Sequence, residues 1–218
     1  MAESPGVTPI STVQRLSVYL RTLKRAKESG RNFISSEEIA VINGYTPAQV
    51  RKDFSCFGSF GIKGKGYNID KLIKTLEEIL GLSERWRVAL VGLGRLGKAL
   101  AKYKGFHLSK FDIVAIFDID PEKIGTKYNN IPIYSPQKLA QIAKRKKIEI
   151  AVVAVPTNSA EEAVMNVVKA GIRGILSFSE VRINLPEGFI LRNVNLAAEM
   201  ETVSFYLTHP DWMCRGWF

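Results

Sequence analysis

Three glycines, Gly92, Gly94 and Gly97, stand at G-x-G-x-x-G spacing in the run Val-Gly-Leu-Gly-Arg-Leu-Gly. At that spacing each has its own task. The first permits a tight turn, the second lets backbone approach a pyrophosphate, and the third lets a helix pack on a strand. The anion would then rest on unpaired N–H groups at the start of the helix. Leu93, Arg95 and Leu96 complete this predicted loop, Arg95 either touching phosphate or standing in solvent. Asp118 closes a second apolar run 21 residues past Gly97. A carboxylate there accepts hydrogen bonds from ribose hydroxyls and repels a 2′-phosphate, which favours NAD(H) over NADP(H). Ile119, Pro156 and Thr157 join the predicted cofactor set, because ligands of open α/β sheets bind outside the carboxyl ends of the strands.

A second chemistry lies upstream. In "YTPAQVRKDFSCFG" the residues Val50, Phe54 and Phe57 recur at helical spacing and face a core, which turns Ala48, Arg51, Lys52 and Ser55 outward. Short and cationic residues on the exposed face of a second helix suit a major groove: Arg and Lys meet guanine edges or phosphates, and Ala meets a thymine methyl. The same face could equally be a solvated surface of a small helical domain. Lys63 and Lys65 in "FGIKGKGYNI" fall at the tip of a Gly-rich hairpin directly after that helix. A basic hairpin in that place acts as a wing on phosphates or the minor groove, which tips the balance to DNA.

The elements that must position these residues are legible from caps and periodicity. A helix is expected from Thr8-Pro9 to Gly30, with Ile10, Val13, Leu16, Leu20 and Leu23 on one face. Ser35 and Glu38 have capping-box spacing for a short helix ending at Asn43-Gly44. Thr46 caps the next helix, predicted from Pro47 to about Phe57, and Asp70 a further helix ending at Gly81. From "RVALV" onward, apolar runs alternate with helical segments ("FDIVAIFDID", "SPQKLAQIAKRKK", "IEIAVVAVP", "SAEEAVMNVVKAG", "IRGILSF"), the order of a doubly wound parallel sheet. The fold class is therefore α/β: a winged-helix DNA-binding domain over 1–82, a Rossmann-like domain over 83–194, and a terminal helix over 195–218. That helix carries Leu196, Met200, Val203, Phe205, Tyr206 and Leu207, with Trp212, Trp217 and Phe218 beyond. So much apolar surface points to docking on a second subunit, although packing on its own sheet is the plainer alternative.

Composition narrows the classes. Lys and Arg outnumber Asp and Glu by 31 to 21, so anionic partners are favoured. The excess is spread evenly: residues 1–80 hold 12 basic and 8 acidic residues, and the remainder 19 and 13, so charge does not say which half meets a polyanion. No apolar run suits a membrane span and the N-terminus lacks the pattern of a signal peptide, so a cytoplasmic protein is expected. Two cysteines, Cys56 and Cys214, and two histidines, His107 and His209, make neither a disulfide framework nor a metal cluster. No residue stands out as a catalytic acid or base, and little chain is left for a substrate domain.

Together, "QVRKDFSCFGSFGIKGKGY", "VGLGRLGKALAKYKGF" and "FDIDPEKIG" resemble the Rex family of redox-sensing transcriptional repressors. The resemblance spans essentially the whole chain. It implies a homodimer with exchanged C-terminal helices, one NAD(H) per subunit, binding to a palindromic operator on double-stranded DNA, and release by NADH. It also implies a switch that includes Arg15, Tyr103 and an acidic residue before the exchanged helix. This chain has Asn195 where an Asp is expected, so a switch ion pair to that position is lost and only a weaker hydrogen bond remains possible. Physically, NADH and NAD⁺ differ by one charge on the nicotinamide, and a dry pocket penalises the charged ring. A small NAD-dependent oxidoreductase is the alternative carried by the glycine fingerprint alone, and a CoA- or nucleotide-binding scaffold a third reading.

Overall fold

The computed structural model describes residues 8–62 and 64–212. The chain divides between Ser83 and Glu84 into two compact units, with the described residues from Phe205 onward grouped with the first.

The first unit opens with α1 (Ile10–Glu28), entered from Pro9 without a side-chain cap, so Thr8 is not the cap that the sequence suggests. Leu16, Tyr19, Leu20 and Leu23 form its buried face, while Ile10 and Val13 are exposed. A two-residue strand β1 (Phe33–Ile34) leads into α2 (Ser36–Asn43). The expected capping box is present: the Glu38 amide donates to Ser35 Oγ and the Ser35 amide to Glu38 Oε2. Gly44 ends the helix in the left-handed region at φ 70°, where glycine is free of strain. α3 (Pro47–Ser55) follows, its Thr46 hydroxyl accepting the Gln49 amide at 3.1 Å. The hairpin strands β2 (Gly61–Ile62) and β3 (Gly66–Asn68) pair antiparallel, and β3 also pairs with β1, giving a three-stranded sheet. α4 (Ile69–Ile79) is capped by Asn68, whose Oδ1 accepts the Lys71 amide at 3.0 Å; Asp70 lies in the first turn instead. One core holds this unit together, with Phe54 edge-on to Tyr19 and Tyr67.

The second unit is built on β4 (Trp86–Val91), α5 (Arg95–Lys102), α6 (Lys104–Leu108) and β5 (Phe111–Phe117). β6 (Lys127–Tyr128), β7 (Ile131–Tyr134), α7 (Leu139–Lys146) and β8 (Ile150–Val153) come next, a single 3-10 turn preceding α7. α8 (Thr157–Lys169), β9 (Gly174–Ser177) and β10 (Ile190–Asn193) complete the sheet. Its order is β10-β9-β8-β4-β5-β7-β6, parallel except for the edge strand β6. From β4 the chain builds outward first to β5 and β7, then crosses back to β8 on the other flank. The loops after β4 and β8 therefore part at the topological switch point, where such sheets bind ligands. Strands β4 and β8 are buried on both faces, which explains their unbroken apolar runs. The cations Lys144, Arg145 and Lys146 lie in the last turn of α7, where they favour the helix dipole.

The last described helix, α9 (Leu196–Thr208), buries no residue. Leu196, Met200, Val203 and Leu207 recur along one face and are 60%, 69%, 53% and 76% exposed. Trp217 and Phe218 lie outside the described residues. No helix among the described residues is long and apolar enough to cross a membrane, and no described cluster of His, Cys, Asp and Glu could hold a metal ion.

Candidate cofactor cradle and nucleic-acid interface

The glycine loop links the end of β4 to α5. Gly92 has φ 94°, and a Cβ there would stand 2.5 Å from the Ala154 carbonyl oxygen of the β8 loop. A Cβ on Gly97 would overlap the Gly92 carbonyl oxygen. Both positions therefore admit only glycine, one for turn and loop contact, the other for packing of helix on strand. Gly94 differs: its backbone is extended at φ −73° and ψ −163°, and a Cβ would meet nothing within 4 Å. The space over Gly94 is an open cradle in front of the first turn of α5, which has no side-chain cap. Unsatisfied amides at a helix start facing such a space suit a pyrophosphate. Arg95 and Leu96 are exposed beside it, as are Pro156 and Thr157 at the end of β8.

Asp118 is 8% exposed at the end of β5 and makes bonds that the sequence does not foretell. Its Oδ2 accepts the Leu93 amide at 2.6 Å, and its Oδ1 the Asp120 amide at 2.9 Å. The carboxylate thus ties the glycine loop to the turn after β5. Lys123 Nζ stands 3.4 Å from Asp118 and 3.1 Å from Asp120, and its hydrogen bond holds the Asp120 carboxyl below its ordinary value. Lys98 also acts favourably on the Asp120 charge, so two lysines balance the two carboxylates. Asp118 Oδ1 also accepts from Lys123, whereas Oδ2, with one bond accepted, retains a lone pair for a ribose hydroxyl. Lys123 and Asp120 belong to the quoted "FDIDPEKIG" but receive no role from spacing alone. Ile119, by contrast, is 86% exposed.

Tyr103 lies at the far end of α5 from the glycine loop, about 13 Å along the helix axis. The structure does not bring it to the cradle. It is 60% exposed, packs edge-on with Phe106, and lines a cleft of about 440 Å³ with His107, Phe111, Asn129 and Ile131. Beside that cleft Arg85 donates to both oxygens of Asp112, and His107 Nδ1 lies 2.6 Å from Asp112 Oδ1. These hydrogen bonds, Arg85's foremost, bring the Asp112 carboxyl down to about 2. Asn195 caps α9, its Oδ1 accepting the Ala197 and Ala198 amides.

In the first unit, Ala48, Arg51, Lys52 and Ser55 are all exposed on α3, and Lys65 is exposed in the wing. Lys63 lies outside the described residues. Arg51 is not free: it donates to Ser36 Oγ at 3.0 Å and pairs with Glu37 at 3.1 Å. Lys52 makes no ion pair among the described residues.

The inner face of α3 carries a residue that periodicity overlooks. Asp53 is 2% exposed, among the aromatic side chains of the core. Arg15 Nε donates to its Oδ2 at 2.6 Å and Arg15 Nη2 to its Oδ1 at 2.7 Å. Tyr19 Oη adds a bond to Oδ2 at 2.9 Å, and Gln49 Nε2 one to Oδ1 at 2.8 Å. Burial alone would push the Asp53 carboxyl up, but the bonds from Arg15, Tyr19 and Gln49 outweigh it and hold the group below its ordinary value. The same bond from Asp53 raises the Arg15 guanidinium. Arg15 is therefore engaged within its own unit. Gln49, three residues past the cap Thr46, stands where a capping box would use it, but its side chain turns to Asp53.

Two family descriptions match the two parts of the chain: "Putative DNA-binding protein N-terminus" over residues 8–55 and "CoA binding domain" over residues 83–181. Among curated proteins, the chain is 42% identical to the redox-sensing transcriptional repressor Rex of Pelotomaculum thermopropionicum, over 93% of this chain and 95% of that one. It is 45% identical to the protein of the same name in Desulfitobacterium hafniense, over 90% and 94%. Among solved structures it is similar to the Rex-family repressor RSP. The complex of RSP with NAD⁺ and operator DNA matches at TM-score 0.87 and 33% identity over 94% of each chain. The complex with NADH matches at 0.84 and 31%, over 94% of this chain and 96% of that one.

Proposed function

The chain belongs to the Rex family of redox-sensing transcriptional repressors, and from that premise we propose that it is a cytoplasmic, homodimeric repressor that binds palindromic operator DNA and leaves it when NADH is bound. One observation carries the reading: a helix with an exposed basic face and a dinucleotide cradle stand in one chain, in separate compact units. In this reading Gly94 and the first turn of α5 hold the pyrophosphate. Asp118, fixed by the Leu93 and Asp120 amides, takes the ribose hydroxyls. Ala48, Lys52, Ser55, Lys63 and Lys65 meet the DNA, and Arg51 is steered by Glu37. The C-terminal helix is exchanged between subunits, and its bare apolar face then packs on the partner. Regulation is a matter of linkage. The dimer must have two shapes that differ in affinity for the reduced dinucleotide, and only one may present both α3 helices to adjacent half-sites. An exposed switch tyrosine, Tyr103, and a partner-seeking helix are the surfaces through which one subunit can sense the other.

The test is a fluorescence-anisotropy titration of a palindromic duplex, selected from a random pool by the protein with NAD⁺, across a series of NADH/NAD⁺ ratios. Operator affinity should fall as the ratio rises. Affinity that ignores NADH while the cofactor is bound, as checked by its own fluorescence, would overturn the reading.

A further inference from the structure

We infer that Asp53 is a positioning residue for operator reading: through Arg15 it fixes the recognition helix α3 against α1, so that sequence-specific binding depends on that ion pair. Four hydrogen bonds converge on this one buried carboxylate, and they come from two elements. Arg15 and Tyr19 belong to α1; Gln49 and Asp53 belong to α3. Arg15 Nη2 also donates to Thr12 Oγ1 at 3.1 Å, which anchors the guanidinium one turn earlier on α1.

The location matters as much as the bond count. Asp53 is buried on the inner side of the short helix whose exposed side carries Ala48, Lys52 and Ser55. α3 has only nine residues, so a small rotation about its axis displaces Ala48, Lys52 and Ser55 together. Apolar contacts from Val50 and Phe54 are non-directional and tolerate such rotation. A bidentate guanidinium–carboxylate pair is planar and directional, and does not. Removing Arg15 would also leave a carboxylate in an aromatic core with only neutral donors, from which α3 relaxes by moving the charge toward water. Arg15 is 18% exposed in its side chain, whereas Asp53 is sealed at 2%; the accessible end of the pair is the one on α1. Anything that draws Arg15 away thus acts on α3 from outside the DNA surface. That last step rests on the NADH switch of the proposed function, since Arg15 is one of the residues the Rex resemblance places in the switch; the positioning role rests only on its assignment of α3 to the operator.

A positioning role predicts a loss confined to base reading. Phosphate contact needs the cations of α3 and the wing near the backbone but not in one orientation, so it survives a small rotation. The full-length protein is compared as wild type, Asp53→Asn, Arg15→Gln and the double variant. The probes are the selected palindromic duplex and a scrambled duplex of equal length, each with NAD⁺ and with NADH. Each single variant should bind the palindrome about tenfold or more weakly, with scrambled-duplex affinity within about twofold of wild type. The double variant should be no worse than the weaker single, because both substitutions break one pair. Equal losses on both duplexes, or losses that add in the double variant, would overturn the inference. Should Asp53→Asn fail to fold, Arg15→Lys carries the same test: it keeps the charge, loses the bidentate geometry, and should lower the palindrome-to-scrambled ratio. If wild-type binding is indifferent to NADH, the proposed function fails while this ratio still decides the role of Asp53.

Discussion

Substituting Gly94 by alanine separates cofactor binding from folding more cleanly than any other change in the glycine loop. Its φ of −73° and ψ of −163° suit alanine, and a Cβ would meet nothing within 4 Å. Folding should therefore be unharmed, and a less flexible unfolded chain would add about 0.4–1 kcal/mol of stability. The new methyl projects into the cradle. A phosphate oxygen accepting a backbone N–H comes to about 2.9 Å from the nitrogen, closer than a neighbouring methyl allows. Lifting the pyrophosphate by roughly an ångström would cost one charge-assisted hydrogen bond, about 1.5–3 kcal/mol. NADH should then bind about 10- to 150-fold more weakly. NADH fluorescence titration reads the affinity and thermal unfolding reads the fold. Operator binding should persist, and NADH that releases the wild type should no longer release the variant. An unchanged melting temperature with NADH affinity within about threefold of wild type would refute the placement of the pyrophosphate over Gly94.

Three further outcomes are expected. Lys52→Ala should weaken operator binding and lower the slope of log affinity against log salt by about one unit, with NADH affinity unchanged, as anisotropy at several salt concentrations would reveal. Asp112→Asn should remove an acid-sensitive part of the stability. The Asp112 carboxyl titrates at about 2 in the folded protein and near 3.9 when unfolded, so its contribution is complete above about pH 4 and fades as pH falls toward 2. Urea midpoints measured from pH 6 downward should therefore converge for wild type and variant at the acid end. Met200→Glu, in the exposed apolar stripe of α9, should leave each subunit folded but shift sedimentation from dimer to monomer; an unchanged dimer would show that this helix does not make the interface.

Much of this was legible because it is written in periodicity and caps. Ser35 and Glu38 announce α2, Thr46 announces α3, and the outward turn of Ala48, Arg51, Lys52 and Ser55 follows from Val50 and Phe54 facing inward. The glycine loop was legible for the same reason: backbone geometry at Gly92 and Gly97 leaves no alternative residue. Other details turn on competition between near-equal choices. Asn68 rather than Asp70 caps α4, since either side chain could and the preceding β3 ends on Asn68. Ile10 and Val13 share a helical face with Leu16 yet lie beyond the core that Leu16 reaches. The edge strands β6 and β10 are short and half exposed, so they carry no apolar run to find.

Both candidate surfaces are held by carboxylates whose bonds pattern reading cannot see. Asp118 was expected to face a ribose, and it also anchors the Leu93 amide of the loop that would hold the phosphates. Asp53 was not expected to matter, since a charged residue between Lys52 and Phe54 looks like part of a solvated face. Its burial becomes tolerable only because Arg15, 38 residues earlier, supplies the matching charge. A one-dimensional pattern records which residues avoid water; it does not record which distant partner makes an exception affordable. The Arg15–Asp53 pair is thus a long-range fact, and its directionality is what an apolar core lacks. A hydrophobic residue at 53 would pack α3 onto α1 as well, but in several rotations. A helix that must meet base edges to within a few tenths of an ångström needs one.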